Sequence, residues 1–262
     1  MLDQVRVVLI ETSHSGNIGS VARAMKTMGL TQLVLVSPKV DIDGQAIALS
    51  AGASDVLANA KIVSTLAEAI ADCRLVIGTS HKAKNPDVPV LDPRQAAAKV
   101  RDERGNTTAA LVFGRESNGM NNEELRLCTY HVCIPANPDY TSLNLAMAVQ
   151  VLSYELRMTA LAAQETPAGE PDDRVYPTSE QLEGFYQHLE KTLDLTGFII
   201  RAHPGHIMIK LRRLFSRAKP DELELNILRG ILTSVQKFAA GVGRGREQEA
   251  RAAQADNVNK QQ

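Results

Sequence analysis

Tryptophan is missing from this chain of 262 residues, and cysteine is scarce, at three. Cys73, Cys128 and Cys133 are odd in number and sit inside apolar runs. Cys128 and Cys133 lack metal-ligand spacing, and no His/Cys cluster joins them. A disulfide framework and a zinc site are thereby set aside, and buried, reduced thiols are expected. No apolar run is long enough to cross a membrane. The first residues pass straight into a strand-like run, with no basic segment and no small-residue cleavage site, so residence in the cytoplasm is expected. Neither sign of charge dominates. A net charge of −1 argues against a surface coated in basic residues but leaves room for a local basic face.

What is there is ordinary for a globular protein: 44% hydrophobic and 23% charged, enough for one good core and a smaller unit. Short runs rich in Val, Ile and Leu fall at Val5–Ile10, Gln32–Val36, Leu75–Gly78, Ala109–Phe113 and His131–Ile134. Helical patterns lie between them, at Gly19–Met28, Thr65–Ala71, Pro93–Arg101 and Asn121–Leu127. Thr65 with Glu68 and Asn121 with Glu124 read as capping boxes, and Asp92-Pro93 as a cap with proline in the first turn. Strands that are continuously apolar and alternate with helices make a parallel sheet covered on both faces. After Leu161 the chain turns small, polar and proline-bearing, as an exposed linker does. Beyond it only helices are signalled, opening at Thr178, at Ile207–Arg217 and at Pro220–Phe238. From Gly241 onward apolar anchors are lacking and a disordered tail is expected. No internal repeat is present.

Three segments carry the chemistry. The loop after the first strand holds Gly16 and Gly19 with Asn17 between them, which fails the G-x-G-x-x-G fingerprint of a dinucleotide site and removes a nicotinamide-dependent dehydrogenase. Arg23 lies one and a half helical turns beyond Asn17; on its own it reads as a solvated cation. In the second segment a strand runs into Gly114-Arg115-Glu116, where glycine at a strand's carboxyl end permits close approach of a ligand. Arg115 and Glu116, adjacent and opposite in charge, read most simply as a pair in solvent. In the third, a Pro- and Asn-rich turn leads through Thr141 and Ser142 into a helix. Ser142 is placed as its N-cap, and Leu145, Val149, Leu152 and Leu156 form one apolar stripe.

Taken in order, N-I-G-S-V-A-R at 17–23, F-G-R-E-S-N-G-M at 113–120 and S-L-N-L-A-M-A at 142–148 resemble the three motifs of the SPOUT methyltransferase superfamily. These are RNA methyltransferases that use S-adenosylmethionine (SAM) and carry a trefoil-knotted α/β domain; the motifs are those of the ribose 2′-O branch. The stretches QAIALSAGASDVL, VLDPR and KLRRLFSRAKPDELELNILRGIL are similar to tRNA-modifying bacterial members with a helical C-terminal appendage, and the resemblance runs from Val5 to about Phe238.

The resemblance implies a parallel sheet covered by helices with a C-terminal trefoil knot, plus a small all-α domain. Its domains are a methyltransferase domain at 1–161, a linker at 162–176, a helical RNA-binding domain at 177–240 and a tail at 241–262. General topology rules alone, under which threaded chains are rare, give an unknotted sheet. The resemblance places Arg23, Asn17, Glu116, Ser142 and Asn144 in the catalytic site. It places SAM among Thr79, Ser80, His81, Gly114, Ile134, Thr141, Ser142 and Leu143, with no metal. RNA contacts fall on Arg23, Lys82, Lys84 and Arg115, and on Lys210, Arg213 and Arg217, which share a helix face opposite Ile209, Leu211 and Leu214. The implied activity is ribose 2′-O-methylation of tRNA at the anticodon-loop pyrimidine at position 32. Its rivals are another tRNA or ribosomal RNA site, or a silent RNA-binding protein. The implied assembly is a homodimer, with the Leu145/Val149/Leu152 stripe offered as apolar area and no membrane partner. The chain departs from the family pattern at Lys82 and Lys84, where arginines and a tryptophan are usual, and at Ser117-Asn118; lysine keeps the charge but loses the bidentate fork.

Overall fold

The computed structural model describes residues 1–80, 90–103, 108–165, 174–199 and 207–259. The chain divides into two compact units. One comprises Met1–Arg174 with Thr178–Glu180, and the other Val175–Pro177 with Gln181–Gln262.

The first unit begins with a 3-10 turn, Leu2–Gln4, and strand β1, Val5–Ile10, buried over all six residues. There follow α1 (Ser15–Met28), β2 (Gln32–Val36), α2 (Gly44–Ser50), α3 (Ser54–Ala58), β3 (Lys61–Val63), α4 (Leu66–Ile70) and β4 (Leu75–Thr79). After these come β5 (Val90–Leu91), α5 (Pro93–Asp102), β6 (Ala109–Phe113), α6 (Asn122–Arg126), β7 (Tyr130–Val132) and α7 (Leu145–Glu165). The strands form a single parallel sheet in the order β3-β2-β1-β6-β4-β7-β5.

Alternate residues of each strand feed two separate cores, because strand side chains point to opposite faces with a period of two. Val7 and Leu9 of β1 join Leu111 and Phe113 of β6, and these pack on Ile18 and Met25 of α1, Val100 of α5 and Val149 and Leu152 of α7. Val8 and Ile10 join Val112 and pack on Leu66 and Ile70 of α4 and Leu125 of α6. The capping signals are realised. Asp92 and Gln95 form a full box at α5, and so do Asn121 and Glu124 at α6. Thr65 caps Glu68, but the Glu68 carboxylate reaches back one residue further, to the amide of Ser64. Cys73 and Cys128 are buried, Cys133 half-buried, and all three are free.

Sequence patterning does not signal α2, α3, β3 or β5. The two strands are three and two residues long, too short for a periodic signal. Helix α1 also starts at Ser15, one turn earlier than Gly19, which lies inside it where a Cβ would collide with the backbone of Ala46 on α2. Strand β7 lies between β4 and β5, which follow one another in the chain. Whether the chain is threaded depends on the course of residues 81–89, outside the described residues.

The second unit holds α8 (Ser179–Leu195) from Gln181 onward, α9 (Ile207–Ala218) and α10 (Glu222–Asn259). Its core is Phe185, Tyr186, Leu189 and Leu225, with Met208, Leu211 and Phe215 of α9 against it. Phe185 and Phe215 meet edge to face, with centroids 4.8 Å apart. Where the composition past Gly241 suggests a tail without structure, helix α10 continues to Asn259. The stretch EQEARAAQA is built from strong helix formers, which need no apolar anchor to favour the helical backbone.

Candidate functional site

Strands β6, β4 and β7 are neighbours running the same way, so the loops after Phe113, Thr79 and Val132 leave the same edge of the sheet. Carboxyl edges of parallel sheets are where ligands bind. The loop after β6 is closed on itself: Arg115 and Gly119 exchange backbone hydrogen bonds of 3.2 and 2.9 Å. Gly119 turns the chain with φ of 66°, a left-handed conformation that glycine adopts without strain. Gly114 must also be glycine, since a Cβ there would run into the backbone of Gly119 and Met120.

Arg115 and Glu116 do not pair with each other; the loop sends them apart. Arg115 is gripped by both carboxylate oxygens of Glu124 (3.0 and 2.8 Å) and by Glu11 (2.7 Å). Those two carboxylates raise its pKa further above the ordinary arginine value. Glu11, hydrogen-bonded to Arg115 and also to Lys39 (2.9 Å), is pulled down to about 2. Glu124 thus both caps α6 and orients Arg115. The family-implied RNA contact at Arg115 therefore falls on a guanidinium already held by two carboxylates.

Glu116 turns the other way. Its Oε1 accepts from the Nδ2 of Asn17 at 3.0 Å, and its Oε2 accepts from the Ser13 hydroxyl at 3.1 Å. The Ser13 amide lies 3.3 and 3.2 Å from the two oxygens. Burial opposes ionisation of Glu116, but the bonds from Asn17 and Ser13 outweigh it and hold the carboxyl below its usual range. Asn17 in turn accepts from the Nδ2 of Asn144 at 3.0 Å. Three catalytic candidates, drawn from residues 17, 116 and 144, are therefore one hydrogen-bonded line.

Asn144 is the cap of α7: its Oδ1 accepts from the amide of Ala146 at 2.9 Å, and its carbonyl from Ala148. The N-cap read at Ser142 is corrected to Asn144, two residues on; Ser142 lies exposed in the turn before it. Arg23 stands exposed on α1, about 9 Å of helix rise beyond Asn17 and about a third of a turn round it. Its guanidinium makes no hydrogen bond or ion pair among the described residues.

The residues implied to hold SAM are gathered at this edge. Thr79 ends β4 and Ser80 follows it, Gly114 follows β6, Ile134 follows β7, and Thr141, Ser142 and Leu143 lead into α7; all but Ser142 are half-buried. Small and uncharged, with apolar Ile134 and Leu143 among them, they suit an adenosine-bearing group read by backbone contacts. They do not suit a phosphate, because the loop's cation, Arg115, is already neutralised. His81, Lys82 and Lys84 lie outside the described residues. Lys210, Arg213 and Arg217 are exposed on α9, while Arg212 beside them is bonded to Glu183 (2.6 and 2.8 Å) and lies over the Tyr186 ring. Leu211 packs inward, but Leu214, expected opposite the basic residues, is 44% exposed. Among the described residues no group of three or more His, Cys, Asp and Glu could hold a metal.

Comparison with known proteins bears directly on this edge. Residues 4–154, spanning the whole sheet and all three motif loops, match the SpoU rRNA methylase family. The chain belongs to the SpoU methylase family. Residues 180–252 match the C-terminal domain of the tRNA methyltransferase TrmJ, so the second unit also has family counterparts. A tRNA (cytidine/uridine-2′-O-)-methyltransferase TrmJ of Salmonella typhimurium is 60% identical over 242 residues, 92% of this chain and 100% of its own. Among solved structures, a probable methylase family protein of Haemophilus influenzae Rd KW20 is 51% identical with a TM-score of 0.61, covering 92% of this chain and 100% of its own. TrmJ of Z. mobilis ZM4 is 31% identical with a TM-score of 0.74, covering 88% of this chain and 98% of its own.

Sequence reasoning did not single out Ser13, Glu11, Lys39 or Glu124 as parts of this SpoU-family site. Glu124 was legible as a capping residue. Nothing local marks the others: Ser13 and Glu11 meet partners about a hundred residues away, and Lys39 meets Glu11 across 28 residues.

Proposed function

We propose that this protein is a SAM-dependent tRNA ribose 2′-O-methyltransferase acting on the pyrimidine at position 32 of the anticodon loop, in the cytoplasm. The observation that carries the reading is the Asn144–Asn17–Glu116 line at the carboxyl edge of the sheet. The full-length likeness to a protein named for cytidine and uridine 2′-O-methylation supports it. When bound, SAM supplies a methyl group already activated by its sulfonium. The protein's residues need only hold the ribose in line, exclude competing water and stabilise charge on the 2′-oxygen. Glu116, ionised and anchored by Ser13, fixes Asn17; Asn17 and Asn144 then present amides that orient the nucleotide. Arg23, an exposed cation without a carboxylate partner among the described residues, is suited to stabilise the developing alkoxide. On α9, Lys210, Arg213 and Arg217 offer charge for tRNA phosphates.

Calorimetry on the free protein is expected to show heat with SAM, or with its demethylated product, in the absence of RNA and metal. Nucleoside mass mapping of tRNA after incubation is expected to find the 2′-O-methyl group at position 32. No heat with either ligand would remove the SAM reading; a methyl group at another nucleotide would remove the site.

The homodimer is also part of this reading, on a different helix face from the one the sequence suggests. Leu145, Val149 and Leu152 are spent in the chain's own core. The apolar residues α7 leaves exposed are Met147, Tyr154, Met158 and Leu161, at helical spacing along one face. A second copy is proposed to cover them. Sedimentation is expected to give a dimer at micromolar concentration, and a Met147→Glu/Tyr154→Glu double variant a folded monomer. A wild-type monomer that still methylates tRNA would show the dimer reading wrong.

A further inference from the structure

A ribose 2′-hydroxyl must give up a proton as its oxygen is methylated, and a guanidinium is a poor group to receive it. Beside the Glu116 line stands a group suited to the task. His14 directly precedes α1, and its ring is not used to cap that helix: no side-chain hydrogen bond from His14 reaches the first turn. Instead its Nδ1 lies 3.2 Å from the Ser13 hydroxyl oxygen. That oxygen is also 3.1 Å from Oε2 of Glu116.

The tautomer follows from counting protons. A carboxylate accepts only, so the one proton of the Ser13 hydroxyl is given to Glu116. Toward His14, Ser13 then presents lone pairs alone. The contact is a hydrogen bond only if Nδ1 carries a proton and donates it, which in a neutral imidazole leaves the lone pair on Nε2. The Ser13 amide also bonds Glu116, which keeps this stretch of backbone beside the carboxylate that takes the hydroxyl proton. The arrangement is a carboxylate orienting a base, with a serine hydroxyl inserted between them. His14 is exposed.

We propose that His14, set in its Nδ1–H tautomer by Ser13 and Glu116, accepts the ribose 2′-hydroxyl proton at Nε2. This rests on the methyltransferase reading above. In the step, the 2′ O–H bond breaks and its proton passes to Nε2, leaving an imidazolium. The oxygen's electron pair forms the new bond to the methyl carbon, and the pair of the broken C–S bond stays on sulfur. The imidazolium then loses its proton to water. Serine 13 acts through His14, as a positioning residue. The charged groups of this part of the fold are Glu116 on the loop after β6, Asp43 at the head of α2, which accepts from the amides of Gln45 and Ala46, and Arg23 further along α1. Glu11, Lys39 and Arg115 stand behind them, already paired with one another.

Two measurements test it. In ligand-free protein carrying nitrogen-15 histidine, NMR is expected to show His14 protonated at Nδ1 and bare at Nε2, and Ser13→Ala to lose that preference. In single-turnover methylation of tRNA, His14→Ala is expected to slow transfer by about 10²-fold or more. It should also remove the limb in which rate rises as the imidazole deprotonates, and leave SAM affinity and the thermal melt unchanged. Added imidazole should restore part of the rate. A wild-type His14 protonated at Nε2 would overturn the proposal, as would a His14→Ala profile that parallels the wild type. If the wild-type protein transfers no methyl to RNA although the ring is protonated at Nδ1, the methyltransferase reading fails; an active wild type with His14→Ala equally fast defeats this inference alone.

Discussion

Replacing Arg23 with alanine is expected to slow methyl transfer by about 10²–10³-fold, the usual cost of removing one preorganised group from a developing oxyanion. Arg23→Lys is expected to keep part of the rate, because an ammonium is still a cation although it loses the fork of donors. The comparison separates two roles. If the residue at 23 only stabilises charge, the arginine and lysine profiles run parallel from neutral to alkaline pH, offset by a constant factor. If it takes the proton, lysine, whose reference pKa is roughly 10.4, should gain on arginine as pH rises and overtake it. Single-turnover rates with SAM and tRNA saturating make the distinction. Affinities for both must be shown intact, since an exposed arginine on α1 is also placed to hold an RNA phosphate. A lysine variant that climbs past the wild type at high pH would defeat the electrostatic role.

Gly114→Ala is expected to abolish measurable SAM binding and to lower stability by about 1–3 kcal/mol, the usual range for forcing an extra carbon into a packed site. The reason is local. Gly114 follows β6 just where the Arg115–Gly119 hairpin closes, and a methyl group there meets the backbone of Gly119 and Met120 rather than a side chain that could swing aside. The hairpin must open. That would release Glu116 from Ser13 and Asn17, and Arg115 from Glu11 and Glu124. Gly44→Ala is the control: nothing lies within 4 Å of a Cβ at that position, at the start of α2. Calorimetry with SAM, together with thermal denaturation of both variants, tests the expectation. Wild-type SAM affinity in Gly114→Ala would show that the closed hairpin is not part of the binding edge.

The sequence by itself determined the parallel α/β sheet and much of its detail. Strands β1, β2 and β6 have the boundaries that the apolar runs give, because a strand buried on both faces is apolar at nearly every position; the exception inside β1, Arg6, is held by Asp72. The caps at Asp92 and Asn121 were readable for a similar reason: both partners lie within three residues of each other. Family motifs carried the list of candidate site residues, and they identified Asn17, Glu116 and Asn144 without saying what touches what.

Tertiary structure alone decided the rest. Whether Glu116 would pair with its neighbour Arg115 or with a distant group could not be read locally, since adjacent opposite charges are ambiguous; the closed hairpin resolved it by pointing them to opposite sides. Ser13 and Glu116 are 103 residues apart, and Asn17 and Asn144 are 127 apart. They meet because β6 pairs with β1 and α7 packs on the same sheet face as α1. The same packing spent the Leu145 stripe on the core and left a different face of α7 exposed. A spacing rule describes one helix or one strand. Which ends of those elements come together depends on strand order, and strand order is settled by the burial of all the apolar faces at once.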